Sequence, residues 1–334
     1  MMAETEKTVQ TRAAELLCLG SWHIYSRMTL NENAAFLQAA MDRGINHFDI
    51  GDYWDHELLN TARFKEVVKL LGLPRESYKM GLKVFTNSTE SRESVVRRML
   101  DLLDTDHADY ILFSRPNPHE TMQEAVADMS ALVDMGLTRE LDFSLWDAPQ
   151  LKQAYDLLKA QGMHLPRFVQ FQYNICRRDV VESETYQALF QDTGLKLQAA
   201  FTLEGGILGG HVTRRRFEPE ERAQGIWFPP EERNMARDSG GIRDEIVRKV
   251  PRLIEVARAQ GLSPAQLAMA FPATNPNIEN VLFGATKVWQ LDQALSAMEL
   301  ALTRPEEVRA LTQEFYTAGA EAPHLFDYNG GHLH

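Results

Sequence analysis

Eight short apolar runs, each followed by a stretch of helical periodicity, constrain this chain more than any other feature. The runs are Leu16–Leu19, His47–Asp49, Tyr78–Val84, Ala108–Phe113, Glu140–Phe143, Phe168–Phe171, Leu195–Phe201 and Val281–Phe283. Between them lie amphipathic patterns at Glu32–Asp42, Leu58–Leu71, Ser91–Leu103, Thr121–Met135, Ala148–Gln161 and Glu182–Thr193. Arg243–Gln260 and a helix opening at Ser263-Pro264 follow the seventh run, and Val288–Glu299 follows the eighth. Ser as N-cap with Pro at the first helical position is a strong start signal. Thr303 with Glu306 three residues on has a capping-box spacing and announces a last helix. Strands that alternate with helices pair in parallel through right-handed crossovers. Eight of them favour a closed (β/α)8 TIM barrel over an open sheet. No Gly-x-Gly-x-x-Gly follows the first run, which weakens the open-sheet reading further.

The expected organisation is one domain over residues 1–334, with 1–14 and 318–334 as flexible tails. The one long irregular stretch, Gly209–Gly241, reads as a flap or clamp over a site rather than a domain boundary. Of the 334 residues, 44% are hydrophobic, enough for a sizeable core, and the net charge is −12. An acidic chain is a poor partner for a phosphate backbone, so nucleic acid is not expected. No apolar stretch approaches the roughly 18 residues of a membrane span. The first twelve residues lack a signal peptide's pattern. Cys18 and Cys176 form no metal or redox motif and read as reduced, half-buried thiols. These features point to a cytoplasmic protein with a small-molecule substrate, and they are compatible with a homo-oligomer.

Two strand candidates end on charged residues: Asp49 closes one and Lys83 stands at the end of the next. Burying such groups is costly unless they are paired. In a parallel barrel, that end of the strands carries the chemistry. A Lys beside an Asp can polarise a proton donor, and a structural ion pair is the alternative. Asp49, Asp52, Asp55, His56 and Glu57 also crowd one strand-end loop. Such ligands could bind a divalent metal, but no second cluster appears at other strand ends, and His119 and His164 have loop or helix-end contexts. A solvated acidic loop is the preferred reading, with no resident metal.

Several pieces in order resemble the aldo-keto reductase family over Leu16 to Phe315, nearest to the branch holding the β-subunits of voltage-gated potassium channels. They are Leu19-Gly20-Ser21-Trp22, Gly44-Ile45-Asn46-His47-Phe48-Asp49, Leu82-Lys83-Val84-Phe85, Arg115-Pro116-Asn117-Pro118, Val169-Gln170-Phe171-Gln172-Tyr173 and Leu282-Phe283-Gly284-Ala285-Thr286 with Gln290-Leu291. The resemblance implies an NADPH-dependent reductase on a (β/α)8 barrel. Asp49 and Lys83 match two members of the family's Asp, Tyr, Lys, His tetrad. Straight counting puts Trp54 at the tyrosine position, with Tyr53 one residue early, as a one-residue insertion would place it. Ser114 stands where the family has histidine. A phenol can deliver a proton beside Lys⁺, whereas indole only donates a hydrogen bond.

For the cofactor, the resemblance implies Gly20, Ser21 and Trp22 at the first strand end. Gln170 and Ser144 correspond to the nicotinamide carboxamide contacts, with Leu145 after that serine. Phe201 corresponds to the stacking aromatic, and Thr202–Gly210, including Gly206, to the pyrophosphate loop, with His211 in place of its usual lysine. Thr286, Lys287 and Gln290 correspond to the adenosine-phosphate site at a helix start, and Ala294 replaces its final asparagine. The implied activity is hydride transfer from NADP(H) to a small carbonyl, or to an imine-like acceptor suited to a weak acid. An NADPH-binding sensor or regulatory subunit with little turnover is the first alternative, and a metal-dependent barrel hydrolase the second.

Overall fold

The eight apolar runs become a closed parallel barrel, β1 through β8 in sequence order, as expected. The structure, a computed structural model, describes residues 2–21, 28–51, 58–84, 90–114, 120–210 and 242–318. Strands β1 (Leu17–Gly20), β2 (His47–Gly51), β3 (Lys79–Val84) and β4 (Ala108–Phe113) form one half. Strands β5 (Thr138–Ser144), β6 (Phe168–Gln172), β7 (Lys196–Ala200) and β8 (Ile278–Phe283) form the other. β8 pairs back onto β1 through Cys18 and Leu282, which closes the cylinder without a free edge.

The helices lie outside. α1 (Met2–Glu15), α2 (Leu30–Asp42), α3 (Leu58–Leu71), α4 (Arg92–Leu103), α5 (Met122–Asp134) and α6 (Ala148–Ala160) come in chain order. They are followed by α7 (Asp179–Glu182), α8 (Glu184–Thr193), α9 (Ile242–Ala259), α10 (Pro264–Ala273), α11 (Val288–Thr303) and α12 (Pro305–Thr312). Their starts are written locally. Thr29 with Glu32, Thr121 with Glu124, and Ser263 with Gln266 each complete a capping box. Phe36, Leu37, Val96, Met99, Leu151 and Leu158 turn inward onto the strands and are buried.

The structure corrects four expectations. Residues 2–15 are helical rather than a tail, with Ala13 and Ala14 buried. The helix expected over Glu182–Thr193 breaks at Ser183, whose extended backbone ends α7 and whose hydroxyl caps α8. Thr303 does not cap the last helix. It is the final residue of α11 and its hydroxyl donates to Glu299 O, while Pro305, unable to continue a hydrogen-bonded turn, starts α12. The two thiols are fully buried rather than half-buried, and burial raises both, Cys176 to about 12. Most of Gly209–Gly241, and residues 319–334, lie outside the described residues.

Inside the barrel, Tyr110 crosses over β3. A Cβ on Gly81 would lie 2.0 Å from Tyr110 Cζ, so only glycine leaves room for the phenol. Tyr110 packs edge-on against Phe168, with ring centroids 5.1 Å apart. Among the described residues no helix is long and apolar enough to cross a membrane.

Candidate active site

Asp49 and Lys83 converge in the barrel at the C-terminal half of β2 and β3. The register pairs Asp49 with Gly81 and Gly51 with Lys83, and both side chains are buried. They are joined through Gln170 on β6. Lys83 Nζ donates to Gln170 Oε1, and Gln170 Nε2 donates to Asp49 Oδ2 at 2.9 Å. The expected Lys–Asp pairing is thus mediated by a neutral amide. Each ion still feels the other. Burial raises the Asp49 carboxyl above its ordinary range while the Lys83 charge holds it down. Burial likewise lowers Lys83, and the Asp49 charge opposes that. Asp49 Oδ1 is buried and finds no hydrogen-bond partner among the described residues. A buried acceptor of that kind is a standing demand for a donor.

Around this trio the strand ends are stitched together. Ser21 N–H donates to Asp49 O at 2.8 Å, and Ser21 Oγ accepts from Gly51 N–H at 3.2 Å. Gly20 pairs in register with Asp49, and its open side faces Leu282. Ser114, buried at the end of β4, donates its N–H to Val84 O. Ser144 at the end of β5 donates its hydroxyl to Gln170 Oε1 at 3.5 Å. Gln170 is therefore fully engaged: its oxygen takes Lys83 and Ser144, and its nitrogen serves Asp49 and Gln198. A carboxamide contact at Gln170 requires one of these to open, whereas Ser144 keeps acceptor capacity.

After β7 the backbone turns sharply. Phe201 and Glu204 have φ of 53° and 49°, and Gly205 and Gly206 of 63° and 98°. Glu204, Gly205 and Gly206 are left-handed in succession, and the Glu204 and Gly206 N–H groups donate within the loop, to Phe201 O at 3.0 Å and Leu203 O at 2.9 Å. Sequence reasoning missed what holds this loop. Glu204 is 1% exposed and forms a direct buried pair with Arg177, including Arg177 Nη2 to Oε2 at 3.2 Å. Asn174 completes it, donating to Glu204 Oε1 at 2.8 Å and to Phe201 O at 3.0 Å. At the start of α11, Thr286 N–H and Lys287 N–H both donate to Gln290 Oε1, at 2.8 and 3.0 Å. The Lys287 side chain is exposed there, and Ala294 is fully buried on the core side. Trp22, Tyr53, Trp54 and His211, with the loop positions Asp52, Asp55, His56 and Glu57, lie outside the described residues. Among the described residues no three His, Cys, Asp or Glu gather as a metal site would require.

The barrel and much of the sequence have counterparts among known proteins. The aldo/keto reductase family model matches residues 16–313, and the chain belongs to that family. A rice protein (Oryza sativa subsp. japonica) described as a probable voltage-gated potassium channel subunit beta is 30% identical over 308 residues, covering 87% of this chain and 90% of its own length. A protein of the same description from Arabidopsis thaliana is 27% identical over 299 residues, covering 85% and 87%. The fold superimposes on the crystal structure of an aldo-keto reductase from Klebsiella pneumoniae in complex with NADPH. The TM-score is 0.64 at 18% identity, covering 89% of this chain and 91% of that one.

Proposed function

We propose that this chain is an NADPH-dependent oxidoreductase that delivers hydride to a small carbonyl or imine-like substrate at the C-terminal mouth of its barrel. The observation that carries the reading is Lys83, buried and tied through Gln170 to Asp49 at those strand ends, in a chain of this family. The residues fit the cofactor. Asp49 Oδ1 offers a buried acceptor in need of a donor. In the loop after β7, the left-handed Gly205 and Gly206 carry no side chain, which suits a close approach of a pyrophosphate to the backbone. Lys287 stands exposed at the start of a 16-residue helix, where the dipole favours an anion such as a 2′-phosphate. Ser144, with Gln170, would hold the carboxamide, and Phe201 the ring face.

NADPH, when bound, supplies the hydride. The chain supplies position and charge. Lys83, held by burial and by Asp49, lowers the cost of negative charge on the group that gives up its proton to the substrate oxygen. That donor is assigned to Tyr53, just past the end of β2, since indole at Trp54 cannot act as a general acid near neutral pH. Ser114 orients the substrate oxygen. Asp52, Asp55 and Glu57, which follow β2 in the sequence, and a net charge of −12 favour a cationic acceptor such as an iminium.

The deciding experiment is turnover of a panel of aldehydes, ketones and cyclic imines with NADPH. Activity that falls strongly in kcat on Tyr53→Phe, with little change in KM, upholds the assignment. Damage from Trp54→Phe with an intact Tyr53→Phe moves the acid to the neighbouring residue. The second reading, an NADPH-binding regulatory subunit with little turnover, is favoured by the likeness to proteins described as channel β subunits. Tight NADPH binding with no turnover across the panel would select it.

A further inference from the structure

The polar side chains do not stop at Gln170. Gln198 on β7 accepts from Gln170 Nε2 at 2.6 Å, and its own Nε2 donates to Asn280 Oδ1 on β8 at 2.8 Å. The same Nε2 reaches Tyr110 Oη on β4 at 3.5 Å. Tyr110 Oη lies 2.8 Å from His47 Nε2 at the start of β2. Gln198 and Tyr110 are fully buried, Asn280 and His47 nearly so. One path of hydrogen bonds thus runs from the catalytic mouth through the barrel to its opposite end.

From the Lys83 end, one donor sense carries the path as far as Tyr110. Lys83 has donors and no acceptor, so the amide oxygen of Gln170 must face it. Gln170 Nε2 then faces Asp49 and Gln198, and Gln198 has to answer with its oxygen. That turns Gln198 Nε2 toward Asn280 and Tyr110. The Tyr110 oxygen then accepts from Gln198, and its own proton has two partners within reach, His47 Nε2 at 2.8 Å and Cys18 Sγ at 3.9 Å. The shorter contact and the better acceptor point to His47, whose ring then carries its proton on Nδ1. Burial, with the Lys79 and Arg167 charges opposing protonation, lowers His47 to about 3, which keeps the ring neutral near pH 7.

We propose that Gln198 is a positioning residue for Lys83 and Asp49: it latches the Gln170 amide between them and passes on a hydrogen-bond chain whose direction the Lys83 ammonium sets and which ends on His47 Nε2. Its kinetic consequence rests on the reductase reading, while its geometry does not. A Gln198 that only filled space would leave the His47 tautomer unspecified and would tolerate an apolar side chain of its own size.

The test joins a spectroscopic and a kinetic arm on the full chain. Nitrogen-15 NMR of the histidine rings, with His47→Asn to assign the signal, should find His47 neutral at pH 7 as the Nδ1–H tautomer. Gln198→Met should lower kcat about tenfold, the equivalent of one hydrogen bond, with KM changed less than about threefold. Gln198→Glu, which keeps an acceptor for Gln170, should recover most of that rate. An Nε2–H tautomer in the unsubstituted protein overturns the proposal even if Gln198→Met does not fold. Wild-type kcat in a folded Gln198→Met protein overturns it as well. The Nδ1–H tautomer in a protein that binds NADPH yet turns over no substrate would uphold the chain and remove the reductase reading instead.

Discussion

Glu204 and Asp49 are buried to the same degree and treated in opposite ways. Glu204 meets the Arg177 guanidinium directly, and Asn174 occupies what remains of its capacity. Asp49 meets its cation only through the neutral Gln170 amide and keeps Oδ1 without a partner among the described residues. Arg offers a rigid fork of donors that cannot lose its charge, which suits a fixed join. Lys offers a compact charge whose proton affinity burial can move, which suits chemistry. The first carboxylate shapes the loop after β7, and the second waits for a ligand or a proton.

Breaking the direct pair should have the largest effect. Arg177→Met leaves Glu204 as an uncompensated buried charge and should cost about 3–5 kcal/mol in denaturant unfolding. A loss below about 1 kcal/mol would mean that water reaches Glu204 and that the two sites do not differ as described.

Lys83→Met should remove turnover by about a hundredfold or more, with NADPH binding kept. It should also cost about 3 kcal/mol at pH 7, because Asp49 loses the charge that holds its carboxyl down. Part of that loss should return on acidification. A carboxyl whose folded value is raised takes its proton in the native state first, so stability rises as pH falls through that value. Unchanged activity in Lys83→Met would end the reductase reading.

His47 sharpens the contrast with a third buried group that is kept neutral. Its folded value of about 3 lies below the ordinary 6.5, so the unfolded chain takes the proton first. Its contribution is present above roughly pH 6.5 and is lost as pH falls from there toward 3. The acid limb of the stability curve should therefore be steeper than that of His47→Asn by up to about 1.4 kcal/mol per pH unit. Parallel curves for the two proteins would show that His47 charges in the native state.

The smallest effect is expected at the surface. Lys287→Ala should weaken NADPH about tenfold and leave NADH unchanged, as loss of one charge-assisted contact to the 2′-phosphate would. Equal weakening of both in a fluorescence titration would place Lys287 elsewhere in the cofactor's path.

The barrel was legible because most strands are short apolar runs and many of the helices between them open on their own cap, as at Thr29, Ser91, Thr121, Asp147 and Ser263. Asp49 and Lys83 were legible as charged residues at the ends of such runs, and Ser144 and Gln170 through the family resemblance alone. Gln198, Asn280, Tyr110 and His47 were not, because a strand buried on both faces hides which residues point inward. Gln198 joins Gln170 across 28 positions and Asn280 across 82, and no local period encodes either contact. Arg177 and Glu204 escaped for the same reason, 27 positions apart. Thr303 misled because its spacing to Glu306 satisfies a capping box while Pro305 between them sets the helix start. The helix at residues 2–15 carries a weak apolar stripe, and it takes its place from packing on α11.

The close approach of Tyr110 to Gly81 has a consequence for how this chain can vary. Any side chain at position 81 would evict the phenol and with it the hydroxyl that meets His47. The two positions behave as one inherited unit. In a library randomised at both, survivors should pair glycine with tyrosine, or a larger residue at 81 with a small one at 110. Mixed pairings should be missing, although each residue alone looks like an ordinary member of an apolar strand.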